Sequence, residues 1–456
     1  MNDPAKDAPV ILLFRRDLRL ADNPAAADAA ATGRPVIPLF VLDQSDGERP
    51  LGGASRWWLD QSLRALDGRL QAAGSRLVLA RGALGPIVAE IADRSGAAGV
   101  VFSRVHEPAA ARAEAEMIRR LKAQGVGARA HNASLLHEPG AVLNGEGRPY
   151  QVFTAYWRAA RPRLQLGRAH PEPERLRAPE PWPRSEALDG WSLRPRAPDW
   201  SKGFGVWTPG EGGARAALEE FIDQRLSSYS DRRDRLDREG GSRLSPHLHW
   251  GEIGPAQLAR AVTAAVHAGE AGEAAGEKLL AELGWRDFAA DLLAQRPDMP
   301  TRNLRPEFDR MAWRRAPAEL RAWQEGRTGY PVVDAAMRQL WATGFMPNRA
   351  RMIVASFLTK DLLIDWRDGE AWFWDCLVDA DLGSNSMNWQ WAAGSGVDAQ
   401  PSSRIFNPAA QADRFDPDGA YVRRWASGAA PGEPIVDHGR ARERALEAYR
   451  QARASA

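Results

Sequence analysis

One cysteine, Cys376, stands among 456 residues. That scarcity excludes a disulfide framework, a cysteine-ligated zinc site and a four-cysteine iron–sulfur cluster, and it suits a reducing cytoplasm. No uninterrupted apolar run approaches the ~18 residues of a membrane span, so no membrane location is expected. Residues 1–10 are mixed in charge and contain proline, which is not the pattern of a signal peptide. An excess of one charge is lacking too: 61 Lys and Arg against 59 Asp and Glu leave a formal net charge of +2. Lysine is scarce, five of those 61 cations. The remaining guanidinium groups suit phosphate forks and stacking, although a GC-rich genome yields the same bias. Neither a G-x-G-x-x-G nor a Walker A loop is found, and there is no internal repeat.

What is abundant is tryptophan: 18 residues against 6 Tyr and 13 Phe. Nine of the 18 lie between Trp285 and Trp391. A core rarely demands so many, because each buried indole N–H needs a partner.

The length predicts two or three domains at about 150 residues each. Short apolar runs at 10–14, 36–42, 76–80 and 99–103 read as buried strands, and alanine-rich helical stretches at 55–73 and 109–123 lie between them. This βαβα alternation predicts an α/β domain with a doubly wound parallel sheet over residues 1–137. A proline-rich connector follows at 138–205, wrapped over the surface. Residues 206–456 read as an all-α domain, with helical spacing at 214–225, 255–268, 278–294, 330–343, 348–361 and 370–377.

Five stretches carry more than fold information. In Gly241-Ser-Arg-Leu-Ser-Pro-His-Leu248, Ser245 before Pro246 makes a helix start. The glycine, hydroxyls and free N–H groups ahead of it suit a phosphate; an ordinary cap is the other reading. Glu282, Trp285 and Arg286, at i, i+3 and i+4, share one helix face. They combine a hydrogen-bonding acid, a stacking ring and a phosphate-holding cation, or form a solvated face. Asn348, Arg351 and Met352 share another face, with Arg349 beside them. Asp379-Ala-Asp381 and Asn385 suit a ribose or ring edge better than a metal, so no metal site is expected. Trp389 and Trp391, two apart, point to opposite sides if helical. Composition and spacing go no further than a multi-domain protein whose helical part is suited to nucleotides.

Taken together the motifs resemble the photolyase/cryptochrome flavoprotein family. The resemblance runs from Phe14-Arg-Arg-Asp-Leu-Arg-Leu-Ala-Asp-Asn23 through Trp323–Met337 and Asn388-Trp-Gln-Trp391 to Arg404-Ile-Phe-Asn-Pro408 and Tyr421-Val-Arg-Arg-Trp425. It is closest to bacterial cyclobutane pyrimidine dimer photolyases, which repair DNA. It implies FAD, folded into a U, in the helical domain. Tyr229, Gly241, Ser242, Arg243, Leu244, Ser245, Arg351, Asp379, Ala380, Asp381 and Asn385 match the binding positions, with Asn385 facing flavin N5. Trp389, Trp366 and Trp313 match an electron-transfer triad. Trp285 and Trp391 match the two indoles that clamp a flipped-out pyrimidine dimer, Glu282 the acid that hydrogen-bonds it, and Asn348 and Met352 the pocket lining. Arg233, Arg286, Arg349 and Gln411 match DNA contacts. The implied catalytic residues are Glu282, Asn385 and Met352. The implied cycle passes an electron from excited reduced flavin to the dimer and back.

Within the family, (6-4) photolyases carry a histidine pair where this chain has Asn348 and Met352, which favours cyclobutane dimers. A cryptochrome photoreceptor or a DASH-type single-strand enzyme is the alternative. Asn385 favours repair, because plant-type cryptochromes carry aspartate there. The resemblance also implies a cytoplasmic monomer and a second antenna chromophore, folate or deazaflavin. Three departures stand out. Gly241 replaces a threonine, Ser402 and Ser403 replace an aromatic pair, and an acid that contacts folate in some relatives falls near Ala110.

Overall fold

The structure is a computed structural model, and it describes residues 7–399, 404–426 and 432–454. Five strands form one parallel sheet: β1 (Val10–Phe14), β2 (Val36–Asp43), β3 (Val78–Gly82), β4 (Gly99–Ser103) and β5 (Gly127–His131). Their order is β3-β2-β1-β4-β5. The sheet therefore reverses its winding between β1 and β4, where a doubly wound sheet opens a crevice at its carboxyl ends.

The α/β class with a parallel sheet is as expected, and β1 and β4 have the expected bounds. Two details differ. The third strand starts at Val78 rather than residue 76 and continues through Arg81 and Gly82; the Leu77 N–H before it is taken by the Asp67 carboxylate at 2.8 Å. β5 has no apolar run at all: Gly-Ala-Arg-Ala-His lies on the sheet edge, where half-exposed residues suffice. Tertiary pairing, not hydrophobicity, makes it a strand.

The prolines do keep the connector free of long elements; its one α-helix of eight residues, Phe153–Ala160, lies in the proline-free stretch between Pro149 and Pro162. The connector is nevertheless not merely wrapped over the surface. Leu176, Trp191, Leu193 and Phe204 are buried in the core beneath the sheet. Phe153 and Tyr156 pack against Phe288, Leu292 and Met299 of the helical part.

From Glu211 onward, α-helices, a few short 3₁₀ turns and one π-helix make up the described elements. The main core forms where the helices Pro331–Thr343, Asn348–Ser356, Trp366–Cys376 and Leu382–Ala393 meet, around Trp323, Trp366, Phe373 and Trp389. The helix expected over 348–361 is α-helical only to Ser356, then widens into a π-helix, Phe357–Asp361. The wider turn carries Thr359, Lys360 and Asp361 fully into the interior. The Lys360 ammonium nitrogen meets the Ala393 carbonyl at 2.8 Å and the Tyr449 hydroxyl at 2.7 Å, and burial lowers its pKa well below the usual lysine range. Tyr449 belongs to the helix His438–Ala454, which docks here. No pattern in the sequence announces a buried lysine, because its satisfaction depends on a helix almost 90 residues away.

The two parts meet through buried polar contacts. Trp58 donates to Glu252 at 3.0 Å, Arg19 to the Gly251 carbonyl at 2.8 Å, and the Leu20 N–H to Glu211 at 2.9 Å.

Candidate functional site

A cavity of about 800 Å³ opens inside the helical part. One side is built from the loop before the short helix Ser245–Trp250. Ser245 does not cap that helix; Leu244 takes the cap position. The Ser245 hydroxyl instead donates to Asp379 Oδ2 at 2.6 Å. Leu244 turns away from the cavity into a neighbouring core, while Gly241, Ser242, Arg243 and Ser245 line the cavity. Arg243 adopts φ 59°, a left-handed conformation costly for a side-chain-bearing residue, and its guanidinium lies 4.4 Å from the Trp207 ring centroid. A Cβ at Gly241 would meet nothing within 4 Å. Nothing local requires glycine there.

Facing this loop is an ion pair. Arg351 Nη2 lies 3.0 and 2.8 Å from the two Asp379 oxygens, and its Nε donates to the Met346 carbonyl at 2.7 Å. Asp381 accepts the Ser384 N–H at 2.8 Å, capping the helix Leu382–Ala393 that carries Asn385, Trp389 and Trp391. Asn385 Nδ2 donates to the Glu370 carboxylate at 2.8 Å and to the Glu370 carbonyl at 3.0 Å. The other amide atom is therefore the oxygen, since both partners are acceptors. His249 closes the floor. Its Nε2 meets the Arg16 guanidinium, and its Nδ1 lies 3.9 Å from Asp381. Burial, then the charges of Arg16 and Arg286, push its pKa far down, so the imidazole is neutral. Burial also raises the Tyr229 hydroxyl.

The second face of the cavity is aromatic and cationic. Trp285 stacks on Phe153, with centroids 3.6 Å apart and planes at 11°, so one ring face is fixed by protein. The Arg404 guanidinium covers one face of Trp391, 3.3 Å from its centroid. Glu282 pairs with Arg233 and lies 3.6 Å from Lys278. Asn348 Nδ2 lies 3.9 Å from the Met352 sulfur.

Most of the residues singled out in the sequence thus converge on one cavity, including Tyr229 and Ala380. Some are committed otherwise. Arg286 lines the cavity but spends its terminal nitrogens on the Ser134 and Leu248 carbonyls. Arg349 pairs with Asp234 at 2.8 Å and lies over Phe415. Gln411 is absent from the lining. Ser402 and Ser403 lie outside the described residues.

The three tryptophans Trp389, Trp366 and Trp313 differ in setting: the first two are buried and the third is not. Trp389 borders the cavity; Trp366 is fully buried and donates to Asn303 at 2.9 Å; Trp313 is half-buried. Near Ala110 the nearest acids are Glu107, whose pKa is raised by burial, and Glu114, which pairs with Arg15 at 2.8 Å.

Sequence reasoning missed Glu370, His249, Arg16 and Arg404. No local spacing marks them: Arg16 meets His249 and Glu370 meets Arg49 from more than 200 residues away, and Arg404 reaches Trp391 from outside its helix. No group of His, Cys, Asp and Glu suited to a metal ion is found among the described residues, and no helix there is long and apolar enough to cross a membrane.

The donor set fits a flavin dinucleotide in chemical terms: hydroxyls and guanidinium near a glycine-bearing loop for phosphates, acids for ribose hydroxyls and ring N–H groups. Comparison with known proteins agrees. Residues 279–431 match the model of the FAD binding domain of DNA photolyase, and residues 10–180 match that of DNA photolyase. The deoxyribodipyrimidine photo-lyase of Agrobacterium fabrum is 44% identical over 97% of this chain and 98% of its own length. A bacterial class III photolyase from Agrobacterium tumefaciens superposes with a TM-score of 0.93 at 44% identity, covering 98% of both chains. An archaeal photolyase from Sulfolobus tokodaii, solved with two FAD molecules, does so with 0.81 at 27% identity, over 97% of this chain and all of that one.

Proposed function

The chain belongs to the DNA photolyase family, and on that premise we propose that it repairs cyclobutane pyrimidine dimers in DNA in a light-driven lyase reaction. The observation that carries this reading is that one cavity joins two sets of groups. The Arg351–Asp379 pair, Ser245, Asp381 and Asn385 suit a flavin, and Trp285, Trp391, Glu282 and Met352 suit a flipped-out dimer. Reduced FAD, when bound there, supplies an electron on excitation and takes it back, so there is no net redox change.

The chain's own residues hold and select. Arg351–Asp379, Ser245, Asp381 and the 241–245 loop hold the dinucleotide, and Asn385 lies at flavin N5. Trp285, made rigid by Phe153, and the open side of Trp391 receive the dimer; each stacked ring contributes roughly 1–3 kcal/mol. A damaged step unstacks more cheaply than an intact one, which favours the dimer. Glu282 hydrogen-bonds it and is held ready by Arg233. Arg286 and Arg349 already have protein partners, and so do Arg233 and Lys278 through Glu282, so contacts of these cations with DNA phosphates compete with bonds inside the protein.

Dimer type follows from the absence of a titratable side chain at the two positions, 348 and 352, that line the dimer pocket. The histidine among the described lining residues, His249, is buried and neutral, and Asn348 and Met352 offer no proton. A hydroxyl transfer needs acid–base chemistry; splitting a cyclobutane ring does not. Trp389, Trp366 and Trp313 form a path that reduces the flavin from the surface inward. The crevice at the carboxyl ends of β1 and β4 takes a second, antenna chromophore. Glu114 is already paired with Arg15 there, so a folate held by an acid near Ala110 is disfavoured against a deazaflavin or a second flavin, as in the archaeal structure. We further propose a cytoplasmic monomer divided at residues 137 and 205.

The test is blue-light illumination of the reduced holoprotein with thymine-dimer oligonucleotides. Light-dependent recovery of thymine in duplex DNA is expected. No recovery overturns the reading in favour of a photoreceptor; recovery on single strands alone replaces it by the DASH type.

A further inference from the structure

The flavin-facing amide of Asn385 is held by a chain of contacts that begins in the other domain. Arg49 lies in the loop between β2 and the helix Gly53–Ala72. Its guanidinium makes a two-pronged pair with Glu370, Nη1 to Oε1 at 2.7 Å and Nη2 to Oε2 at 2.9 Å. Glu370 Oε1 also accepts the Asn385 Nδ2 at 2.8 Å. Glu370 is 3% exposed.

The loop is fastened where it must be for this. Arg49 lies 4.3 Å over the Trp374 ring, the Trp374 indole donates to the Pro50 carbonyl at 2.9 Å, and the Gly53 N–H donates to Asp375 at 2.7 Å. A Cβ at Gly52 would sit 2.1 Å from the Trp374 carbonyl oxygen, so only glycine permits the approach.

We propose that Arg49, supplied by the α/β domain, is a positioning residue of the flavin site: its two-pronged pair holds the Glu370 side chain against the Asn385 NH₂ group and so keeps the Asn385 carbonyl oxygen turned towards the cavity. The reasoning is chemical. An ionised carboxylate only accepts, so Asn385 must offer it the NH₂ group and present Oδ1 on the other side. Among the described residues no donor reaches that oxygen. Without Arg49 the Glu370 side chain loses the two bonds that fix it, and only the Glu370 carbonyl, at 3.0 Å, still holds the Asn385 NH₂ group. Held at one point instead of two, the amide turns over part of the time and brings its NH₂ group into the cavity. An acceptor there favours a flavin whose N5 bears hydrogen; a donor favours the oxidised ring, whose N5 has only a lone pair. The inference rests on the reading that Asn385 lies at N5.

The experiment compares the FAD-loaded wild type, Arg49→Met and Asn385→Ala by redox titration and infrared spectroscopy. Arg49→Met should lower the flavin potential, raising the oxidised-to-reduced ratio at fixed poise about tenfold, the effect of one hydrogen bond, or ~30 mV for two electrons. It should also shift or broaden the side-chain amide C=O band that Asn385→Ala removes. If Asn385→Ala shifts the potential but Arg49→Met neither shifts it nor alters that band, the Arg49 proposal is wrong and the N5 reading stands. If Asn385→Ala leaves the potential unchanged, the N5 reading falls and takes this inference with it. Should Arg49→Met not fold, Arg49→Gln keeps a hydrogen bond while losing the charge. It is expected to shift the potential the same way, and an unshifted potential again refutes the proposal.

Discussion

Gly369→Ala tests whether the tryptophan bordering the cavity is as tightly seated as the structure implies. Gly369 lies within the helix Trp366–Cys376. A Cβ there would lie 2.2 Å from Trp389 Cη2, 2.4 Å from its Cζ3 and 2.6 Å from Leu358 Cδ2. Ordinary contact begins at 3.4 Å, so the indole must retreat by more than an ångström. Phe373, edge-on at 5.0 Å, and Trp323, edge-on at 6.1 Å, close off two directions. The remaining direction is into the cavity. Overpacking of this size sits at the upper end of the usual range, about 3 kcal/mol. Replacing glycine by alanine inside a helix returns about 1 kcal/mol. The net loss is about 2 kcal/mol, or roughly 4–8 °C for a domain of this size. Thermal unfolding of the apoprotein measures it, and the flavin content of the purified protein measures the intrusion; both should fall. A variant that unfolds at or above the wild-type temperature with full flavin content would refute the packing argument. It would mean that the indole has room to move.

Three further outcomes are expected. Trp313→Phe should slow photoreduction of oxidised FAD while leaving repair by chemically pre-reduced protein intact; equal loss of both contradicts a role confined to the tryptophan path. Trp285→Ala should weaken binding to dimer-containing DNA by about 1–3 kcal/mol without loss of flavin colour, and unchanged affinity in a binding titration would remove the stacking role. Burial raises the Asp361 carboxyl to about 6, against an ordinary 3.8. The folded chain keeps a proton that the unfolded chain releases, so this group's stabilising contribution is present below about pH 4 and lost as pH rises through about 6. Asp361→Asn should therefore gain about 3 kcal/mol relative to the wild type between about pH 4 and pH 7, read from urea unfolding; a difference independent of pH refutes it.

Much of the site was legible in the sequence because its residues are local. Glu282 and Trp285 share a helix face by spacing alone, as do Asn348 and Met352, and all four line the cavity. The Ser245–Pro246 start was legible as a helix start but not in its chemistry: the hydroxyl goes to Asp379, 134 residues away. Likewise Arg286 is marked as a surface cation by its helix face, yet it serves two backbone carbonyls.

What the sequence determined by itself follows from short-range physics. Apolar runs alternating with helical periods dictated a parallel sheet, and one cysteine excluded sulfur-held metals. The ordered motifs, as a set, pointed to the family. What only the tertiary structure decided depends on partners far along the chain. The edge strand β5 exists because β4 pairs with it, and Lys360 is buried because Tyr449 and Ala393 satisfy it. The amide of Asn385 has a direction because it donates to the carboxylate and carbonyl of Glu370, an acid paired with Arg49, 321 residues before it. Hydrogen bonds and ion pairs of this kind leave no periodic trace in a sequence, since their energy depends on the atoms brought together and not on their spacing along the chain.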